Sequence, residues 1–267
     1  MNLGMRGHDL KADTIEQLSE KCRQNDIHTI QLAIAKTVKD FKYGQFTPAY
    51  ARKMKKELDK NDVSVAVLGC YIDPSTPDEE ELQRGILSFK EQLKFAKFIG
   101  ADMVGTETGV PRMGDREKSY QYLLKNLRVL VDEVEKLGVM IGIEGVHLFV
   151  INTPEMMRRL MDDLNSPNVC VIFDPINYIN STNYTEEKEI VKKTFELLGD
   201  KLAAIHLKDY KVENGEVKGT KIGTGQFDFE YLISMAAQYK PEIPLLLEGV
   251  AESDLAEVMS FIKGFDK

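Results

Sequence analysis

Cysteine is scarce in this sequence. The three residues, Cys22, Cys70 and Cys170, are far apart, odd in number and form no CxxC pair. Small secreted domains build a disulfide framework from an even set of cysteines, and that class of protein is excluded here. We therefore expect a reducing compartment, and we expect Cys170, in the body of a predicted strand, to be inert core.

Long apolar runs are also lacking. No stretch approaches the roughly 18 uninterrupted apolar residues of a membrane span, and the start MNLGMRGHDL does not have the basic and then apolar pattern of a signal peptide. Linkers rich in Gly, Ser or Pro and low-complexity tracts are missing as well. We expect a soluble, cytoplasmic protein with no membrane partner and one domain over residues 1–267.

Positive charge is the minority: 35 Lys and Arg stand against 43 Asp and Glu, which gives a formal charge of -8 and a pI near 5.2. Proteins whose affinity depends on neutralising a phosphate polymer are usually basic, so nucleic acid is not expected as a partner. A small phosphorylated substrate is not excluded. With 267 residues, 43% of them apolar, the chain can bury a large core.

Short β-branched runs alternate with longer amphipathic stretches along the whole chain. A strand followed by a helix at a period of roughly 30 residues predicts parallel strands with right-handed crossovers. Eight such units fit a single (β/α)8 TIM barrel, which typically has about 250 residues, better than a doubly wound sheet. The predicted strands are Asn2–Arg6, His28–Ala33, Val63–Cys70, Asp102–Glu107, Val139–Glu144, Val169–Asp174, Leu202–Leu207 and Pro244–Glu248.

Glycine marks the predicted ends of several helices. The helix after the third strand begins with the acids of Pro77-Asp78-Glu79-Glu80, carries apolar residues at steps of three or four, and meets Gly100. Such a glycine often supplies the left-handed residue that ends a helix. The same pattern predicts helical segments at Leu123–Leu137 before Gly138 and at Val191–Leu198 before Gly199.

Four consecutive predicted strands finish with a residue able to bind a metal: Glu144, Asp174, His206 and Glu248. A single acid at a strand end could be a helix cap or a solvated residue, and His206 alone could be a buried histidine with satisfied hydrogen bonds. The joint pattern favours a metal site, because catalytic groups gather at the carboxyl ends of barrel strands and converging carboxylates repel without a cation.

The four groups also indicate the kind of ion. Three carboxylates and one imidazole form a mostly hard oxygen site, so we expect one divalent metal ion. Mn²⁺ is the first expectation, and Mg²⁺, Co²⁺ and Zn²⁺ stay open.

Several short segments at these positions resemble a known family. GIEG, VIFDP, IHLKD, KIGTGQFDF and LLLEG follow in this order. They resemble the xylose isomerase-like barrel superfamily, and within it the sugar phosphate isomerases and epimerases of the tagatose 3-epimerase type. The similarity covers essentially the whole chain, including GCYIDPSTPDEEELQRG and KFAKFIGADMVGTETG.

The resemblance implies a role for each strand-end residue. Glu144, Asp174, His206 and Glu248 would hold the metal, and Glu144 and Glu248 would also exchange the proton at carbon. The implied function is a metal-dependent isomerase or epimerase of a small ketose, ketose phosphate or related polyol, working through an enediolate. A homo-oligomer is a further implication. A keto-inositol dehydratase with the same fold and metal site remains the alternative.

Asn177 marks a departure from the family. Many relatives have a substrate-holding histidine three residues after the aspartate that corresponds to Asp174, and this chain has Asn177. The endonuclease IV branch needs several additional histidines, whereas this chain has four in all and His28 starts a strand, where a ligand is poorly placed. A DNA-repair enzyme is therefore disfavoured. A non-catalytic sugar-binding barrel is disfavoured by the intact set of four ligands.

Further residues at the predicted barrel mouth are candidates for substrate contacts. Each has a plain structural alternative, such as a solvated loop charge or ordinary packing. Arg112 and Arg116 are the candidates for a substrate phosphate or carboxylate, and Gly223 and Gly225 could present backbone N–H groups to an anion or simply form a tight turn. The substrate-binding candidates are His8, Tyr71, Glu107, His147, Asn177, Lys208 and Arg112.

Asn214-Gly215 predicts a hairpin turn in the loop after the seventh strand. Such a hairpin could form a flap over the mouth.

Overall fold

The computed structural model describes residues 1–39, 41–42 and 44–266. Eight parallel strands close into a barrel in the order β1-β10-β7-β6-β5-β4-β3-β2, and β8 and β9 form a separate antiparallel pair. The TIM-barrel prediction is therefore confirmed. The strands are β1 Asn2–Arg6, β2 Thr29–Leu32, β3 Ser64–Gly69, β4 Met103–Glu107, β5 Met140–Glu144, β6 Val169–Phe173, β7 Leu202–Leu207, β8 Asp209–Glu213, β9 Glu216–Thr220 and β10 Pro244–Leu247.

Helices surround the barrel and connect its strands. Buried apolar faces pack them on the strands, as in α4, where the residues predicted to face inward from Leu82 to Ile99 are buried. None of the helices in the described ranges has the length and apolarity that a membrane crossing requires. The helices are α1 Ile15–Gln24, α2 Ile34–Thr37, α3 Pro48–Asp59, α4 Glu79–Ile99, α5 Arg116–Leu137, α6 Pro154–Leu164, α7 Glu187–Leu198, α8 Phe229–Tyr239 and α9 Leu255–Lys263.

Two of the three predicted glycine ends have the expected geometry. Gly100 and Gly138 end α4 and α5 with φ of 79° and 65°. The third, Gly199, does follow the last residue of α7 as predicted, but its φ of -54° is right-handed. Glycine is needed there for space, because a Cβ at Gly199 would lie 2.7 Å from the Phe195 backbone oxygen and 2.9 Å from the Tyr239 ring.

The hairpin after the seventh barrel strand is confirmed. Asn214 and Gly215 connect β8 to β9 and both have positive φ, 54° and 80°. This is the backbone that a two-residue hairpin turn requires and that an Asn-Gly pair adopts readily.

The interior of the barrel is filled by small and medium side chains rather than by a channel. Ala66, Val67, Cys170 and Ile172 belong to this inner cluster, and Cys170 is a free, buried thiol whose pKa burial raises to about 12. Gly105 lies where strands β3 and β6 leave no room, since a Cβ there would be 2.8 Å from Val67 and 2.9 Å from Ile172. This packing supports the end of the barrel that carries the polar side chains.

We expect Gly105→Ala to lower the free energy of unfolding by about 1–3 kcal/mol, because an added methyl group overpacks against a stiff β-branched side chain. Urea unfolding followed by circular dichroism measures the change. Gly219→Ala is the matched control, since a Cβ at Gly219 meets no described atom within 4 Å. Equal stability of Gly105→Ala and the wild type would contradict the packing described here.

Candidate active site

Three buried side chains meet at the carboxyl ends of β5, β6 and β7. Glu144 is the last residue of β5, Asp174 follows β6, and His206 lies next to the end of β7. Their exposed fractions are 3%, 0% and 1%. One potential ligand atom from each lies within 4.8 Å of the others. These strands are adjacent in the barrel, so parallel register alone brings the three groups together.

The His206 imidazole is the centre of this cluster. Its Nδ1 lies 3.4 Å from Glu144 Oε1, 3.9 Å from Asp174 Oδ2 and 3.3 Å from Glu248 Oε2. Among the described residues this buried nitrogen has no hydrogen-bond partner. Asp174 Oδ2 is paired with the side chain of Lys208, at 2.6 Å. A buried polar atom without a partner is costly. An imidazole nitrogen and carboxylate oxygens that share one point in space fit a divalent cation.

Glu248, directly after β10, faces the same imidazole and is held by Arg6. Arg6 Nη1 lies 2.5 Å from Glu248 Oε1, while its Nε and Nη2 donate to both oxygens of Asp9. Asp9 Oδ2 also accepts the N–H of Gly249, at 2.8 Å. The first and the last barrel strands are thereby tied together next to Glu248.

Lys208 is the second cation of the cluster. Its Nζ lies 2.6 Å from Asp174 Oδ2 and 3.0 Å from Glu248 Oε1. Burial raises the pKa of Asp174, and Lys208 only partly offsets this. For Glu248 the burial effect is outweighed by His206, Lys208 and Arg6, so its pKa is lowered. The carboxylates in turn overcome burial at Lys208 and raise its pKa, which keeps the ammonium charged.

Asn177 and His147 surround Glu144. The Asn177 amide donates from Nδ2 to Glu144 Oε1 at 2.6 Å, and its backbone oxygen lies 3.1 Å from His147 Nδ1. The backbone N–H of His147 donates to the same oxygen at 2.7 Å. Asn177 therefore holds one oxygen of Glu144, and His147 is fixed beside it.

Gln31 and Tyr71 lie on the opposite side of His206. Gln31, buried on β2, has its Oε1 2.6 Å from His206 Nε2 and its Nε2 2.5 Å from the Tyr71 hydroxyl. Tyr71, after β3, is 38% exposed and lines a cavity of about 730 Å³. A second cavity, of about 360 Å³, is lined by Lys208 and Glu248. Lys208 and Glu248 thus border one cavity and Tyr71 borders the other, whereas Glu144, Asp174 and His206 line neither of these two.

Sequence comparison places the chain in a family. A sequence model described as xylose isomerase-like TIM barrel matches residues 8–264. The chain belongs to the xylose isomerase-like TIM barrel family. Comparison with curated protein sequences found no match.

Solved structures of similar fold carry several functional names. A D-tagatose 3-epimerase-like protein has a TM-score of 0.80 at 16% identity, covering 99% of this chain and 97% of its own. The IOLI protein with a bound zinc atom has a TM-score of 0.76 at 17% identity, covering 100% and 96%. The probable 3-DHS dehydratase AsbF from Bacillus anthracis has a TM-score of 0.78 at 12% identity, covering 98% and 99%. At these identities the likeness shows the fold.

Some predicted substrate contacts of this xylose isomerase-like barrel have partners within the chain. Arg112 Nη1 lies 2.5 Å from Asp73 Oδ2, and Arg116 donates to the backbone oxygens of Phe149 and Val150. Arg116 therefore holds a loop, while Arg112 is part of an exposed ion pair. His8 lies after β1, where burial and then Arg6 lower its pKa.

The glycines of KIGTG bind the carboxylate of Asp209. The N–H groups of Gly223 and Gly225 each donate to Asp209 Oδ2 at 2.9 Å, and Phe227 N–H donates to Asp209 Oδ1 at 3.2 Å. A Cβ at Gly225 would lie 2.2 Å from Asp209 Oδ1. The tight-turn alternative accounts for these glycines, and their N–H groups are not left for a substrate phosphate.

Arg6 and Gln31 were missed by sequence reasoning. Both stand near the carboxyl ends of the first two barrel strands, where the other site residues also lie. The available signal was a cation or an amide at the end of an apolar run. Neither side chain is an ordinary metal ligand, so a search for metal ligands does not select these two residues.

Glu107, at the end of β4, pairs in register with Glu144 of this barrel. Burial, followed by the nearby Glu144 charge, raises the pKa of Glu107 to about 7. This carboxyl group can change its charge near neutral pH.

We expect Glu107→Gln to stabilise the metal-free protein more at pH 8 than at pH 5. The folded-state pKa of about 7 is above the ordinary value of 4.5, so the wild type loses stability as pH rises between them. Urea unfolding with a chelator present measures the difference. Glu117→Gln is the control, because Arg159 lowers the pKa of Glu117 to about 2 and its contribution does not change over this range. A flat response in Glu107→Gln would contradict the raised pKa.

Proposed function

We propose that this chain is a divalent-metal-dependent isomerase or epimerase that acts on a small ketose, ketose phosphate or related polyol. The observation that carries the proposal is the buried His206 Nδ1, which has no hydrogen-bond partner among the described residues and faces the carboxylates of Glu144, Asp174 and Glu248. Family membership and the epimerase names of structural neighbours agree with it.

Glu144, Asp174, His206 and Glu248 would hold the ion. The donor set favours Mn²⁺, with Mg²⁺, Co²⁺ or Zn²⁺ as alternatives, and a zinc atom is bound in the similar IOLI protein. When bound, a divalent ion supplies Lewis acidity to the carbonyl and hydroxyl oxygens of an open-chain sugar.

Glu144 and Glu248 are the proposed acid and base. One carboxylate removes the proton from the carbon beside the sugar carbonyl; the C–H electron pair forms the carbon–carbon double bond of an enediolate. The other returns a proton to the opposite face in an epimerase or to the neighbouring carbon in an isomerase. Asn177 orients Glu144, whereas Arg6 and Lys208 orient Glu248 and favour its ionised form.

The substrate would lie across the barrel mouth. Lys208 and Asn177 would contact sugar oxygens close to the carboxylates, and Tyr71, Glu107, His8 and His147 would line the space around them. Arg112 is a candidate for a terminal phosphate, provided that it leaves its pair with Asp73. The proposed partner is thus a small sugar or sugar phosphate rather than nucleic acid. A cytoplasmic location and a homo-oligomer are further parts of the proposal.

A dehydratase is the second candidate. Enediolate formation followed by loss of a hydroxyl group as water needs the same cation and the same base, and AsbF shares the fold. A keto-inositol is the substrate class proposed for this alternative. The mass of the product separates the two functions, because isomerisation conserves mass and dehydration removes one water.

We expect His206→Ala and Asp174→Asn to weaken binding of Mn²⁺ or Zn²⁺ more than about a hundredfold, since even residues behind the ligands change metal affinity by about 10–100-fold. Metal content after dialysis and chelator competition measure this. His28→Ala is the matched control, because His28 lies before β2 and is paired with Asp26 and Asp62. Full metal content in His206→Ala would exclude the assigned site.

We expect Glu248→Gln to reduce turnover by about 10²–10⁴-fold, the usual contribution of a positioned acid or base. A panel of ketoses and their phosphates in deuterated water identifies the substrate, and deuterium should enter its reacting carbon. Glu252→Gln, on a partly exposed side chain paired with Lys21, is the control. Unchanged turnover and metal content in Glu248→Gln would show that the carboxylate takes no part.

A further inference from the structure

A buried amide connects His206 to the mouth of the barrel. Gln31 is 1% exposed, and its two ends lie 2.6 Å from His206 Nε2 and 2.5 Å from the Tyr71 hydroxyl. A buried amide is costly unless its oxygen and its nitrogen are both hydrogen-bonded. One end of the side chain is thus committed to the imidazole and the other end to the phenol.

The imidazole sets the direction of these hydrogen bonds. His206 Nδ1 faces the three carboxylates and is the atom that would bind a cation, so the proton of the neutral ring lies on Nε2. This N–H donates to Gln31 Oε1. The amide nitrogen then faces Tyr71, and because an amide nitrogen only donates, the Tyr71 oxygen accepts.

The proton of the Tyr71 hydroxyl is consequently directed away from Gln31. Gln31 is its hydrogen-bond partner within the described ranges, and the ring lines the cavity of about 730 Å³. Although 38% of Tyr71 is exposed, its hydroxyl contacts the buried Gln31. Desolvation at this end of the ring, followed by the nearby Glu144 and Glu248 charges, raises the pKa of Tyr71, which keeps the phenol neutral and able to donate. The Tyr71 hydroxyl can therefore donate a hydrogen bond to an oxygen atom of a bound molecule.

We propose that Gln31 is a positioning residue that makes the Tyr71 hydroxyl a hydrogen-bond donor to an oxygen of the sugar. We call the hydrogen-bonded series His206–Gln31–Tyr71 the relay. The inference rests on the proposed metal-dependent function, because a cation at His206 Nδ1 sets the direction of the hydrogen bonds in the relay. One amide thereby serves both the metal ligand and the recognition of a carbonyl or hydroxyl oxygen in the substrate.

A double-mutant cycle tests this relay with two probes, zinc alone and D-tagatose added to the zinc-saturated protein. Tyr71→Phe should leave the zinc Kd unchanged and weaken D-tagatose binding about fivefold to tenfold, the value of one hydrogen bond. Gln31→Met should raise the zinc Kd about 10–100-fold and weaken D-tagatose binding as well. In the double variant the two losses of D-tagatose affinity should not add.

Additive losses in the cycle, or unchanged D-tagatose binding in Tyr71→Phe, would overturn the relay while the zinc site stands. Asn168→Leu is the matched control, since Asn168 also loses an amide hydrogen bond, to the Val139 backbone oxygen, but lies before β6 at the opposite end of the barrel. It should leave both Kd values unchanged. Thermal unfolding checks that Gln31→Met folds, and if it does not, Tyr71→Phe alone decides.

Failure of the proposed function has a different signature. A wild type that binds no zinc contradicts the metal site, and a zinc-loaded wild type that binds neither D-tagatose nor D-fructose contradicts the substrate class. In the second case the inference can still be tested by carbon NMR of the zinc-loaded protein. The probe is the Tyr71 ring carbon that carries the hydroxyl, isotopically labelled and assigned by comparison with Tyr71→Phe. A resonance that is the same in Gln31→Met and the wild type would overturn the inference.

Discussion

The concentration of negative charge at one end of the barrel is the constraint on which the site depends. Glu144 and Asp174 are buried almost completely, and Glu248 is mostly buried beside them. Removing ionised carboxylates from water costs several kcal/mol each unless partners replace the hydration. Two permanent cations, Lys208 and Arg6, face these three carboxylates, and Arg6 is shared with Asp9. Without a metal the third positive charge comes from His206, because the carboxylates outweigh burial and raise its pKa. A divalent ion is the chemical group that would supply this charge instead.

Asp209 shows how the same fold treats a structural carboxylate. It is 3% exposed, yet its oxygens accept backbone N–H groups from Tyr210, Gly223, Gly225 and Phe227. Its lone pairs are used entirely for holding the loop that follows the hairpin. Asp174 differs, because one of its oxygens accepts two backbone N–H groups, whereas the other faces only side chains, with Lys208 Nζ at 2.6 Å and His206 Nδ1 at 3.9 Å. The contrast separates a carboxylate that holds a loop from one that is available to a ligand.

Much of the architecture was predictable because it depends on local patterns. Each predicted barrel strand lies within one residue of its observed ends, since apolar runs bounded by polar residues are a strong signal. Helix starts were less accurate: α5 begins at Arg116 and α7 at Glu187, earlier than the apolar spacing alone indicated. The first turns of both helices are mostly polar, so apolar periodicity does not reach them. Gly199 ends α7 as predicted but without the left-handed backbone, and crowding by the Phe195 backbone oxygen and the Tyr239 ring explains that glycine.

By itself, the sequence determined which residues stand at the ends of the strands, and with them the chemistry available: three carboxylates and one imidazole on consecutive barrel strands. Only the tertiary structure decided how these groups are paired. Closure of the barrel brings β1 and β2 round to the later strands, which places Arg6 on Glu248 and Gln31 on His206 across 242 and 175 residues of chain. The tertiary structure also places the backbone N–H groups of Gly223 and Gly225 on the Asp209 carboxylate. Hydrogen-bond partners depend on atoms a few ångströms apart in space, and distance along a chain does not fix that separation.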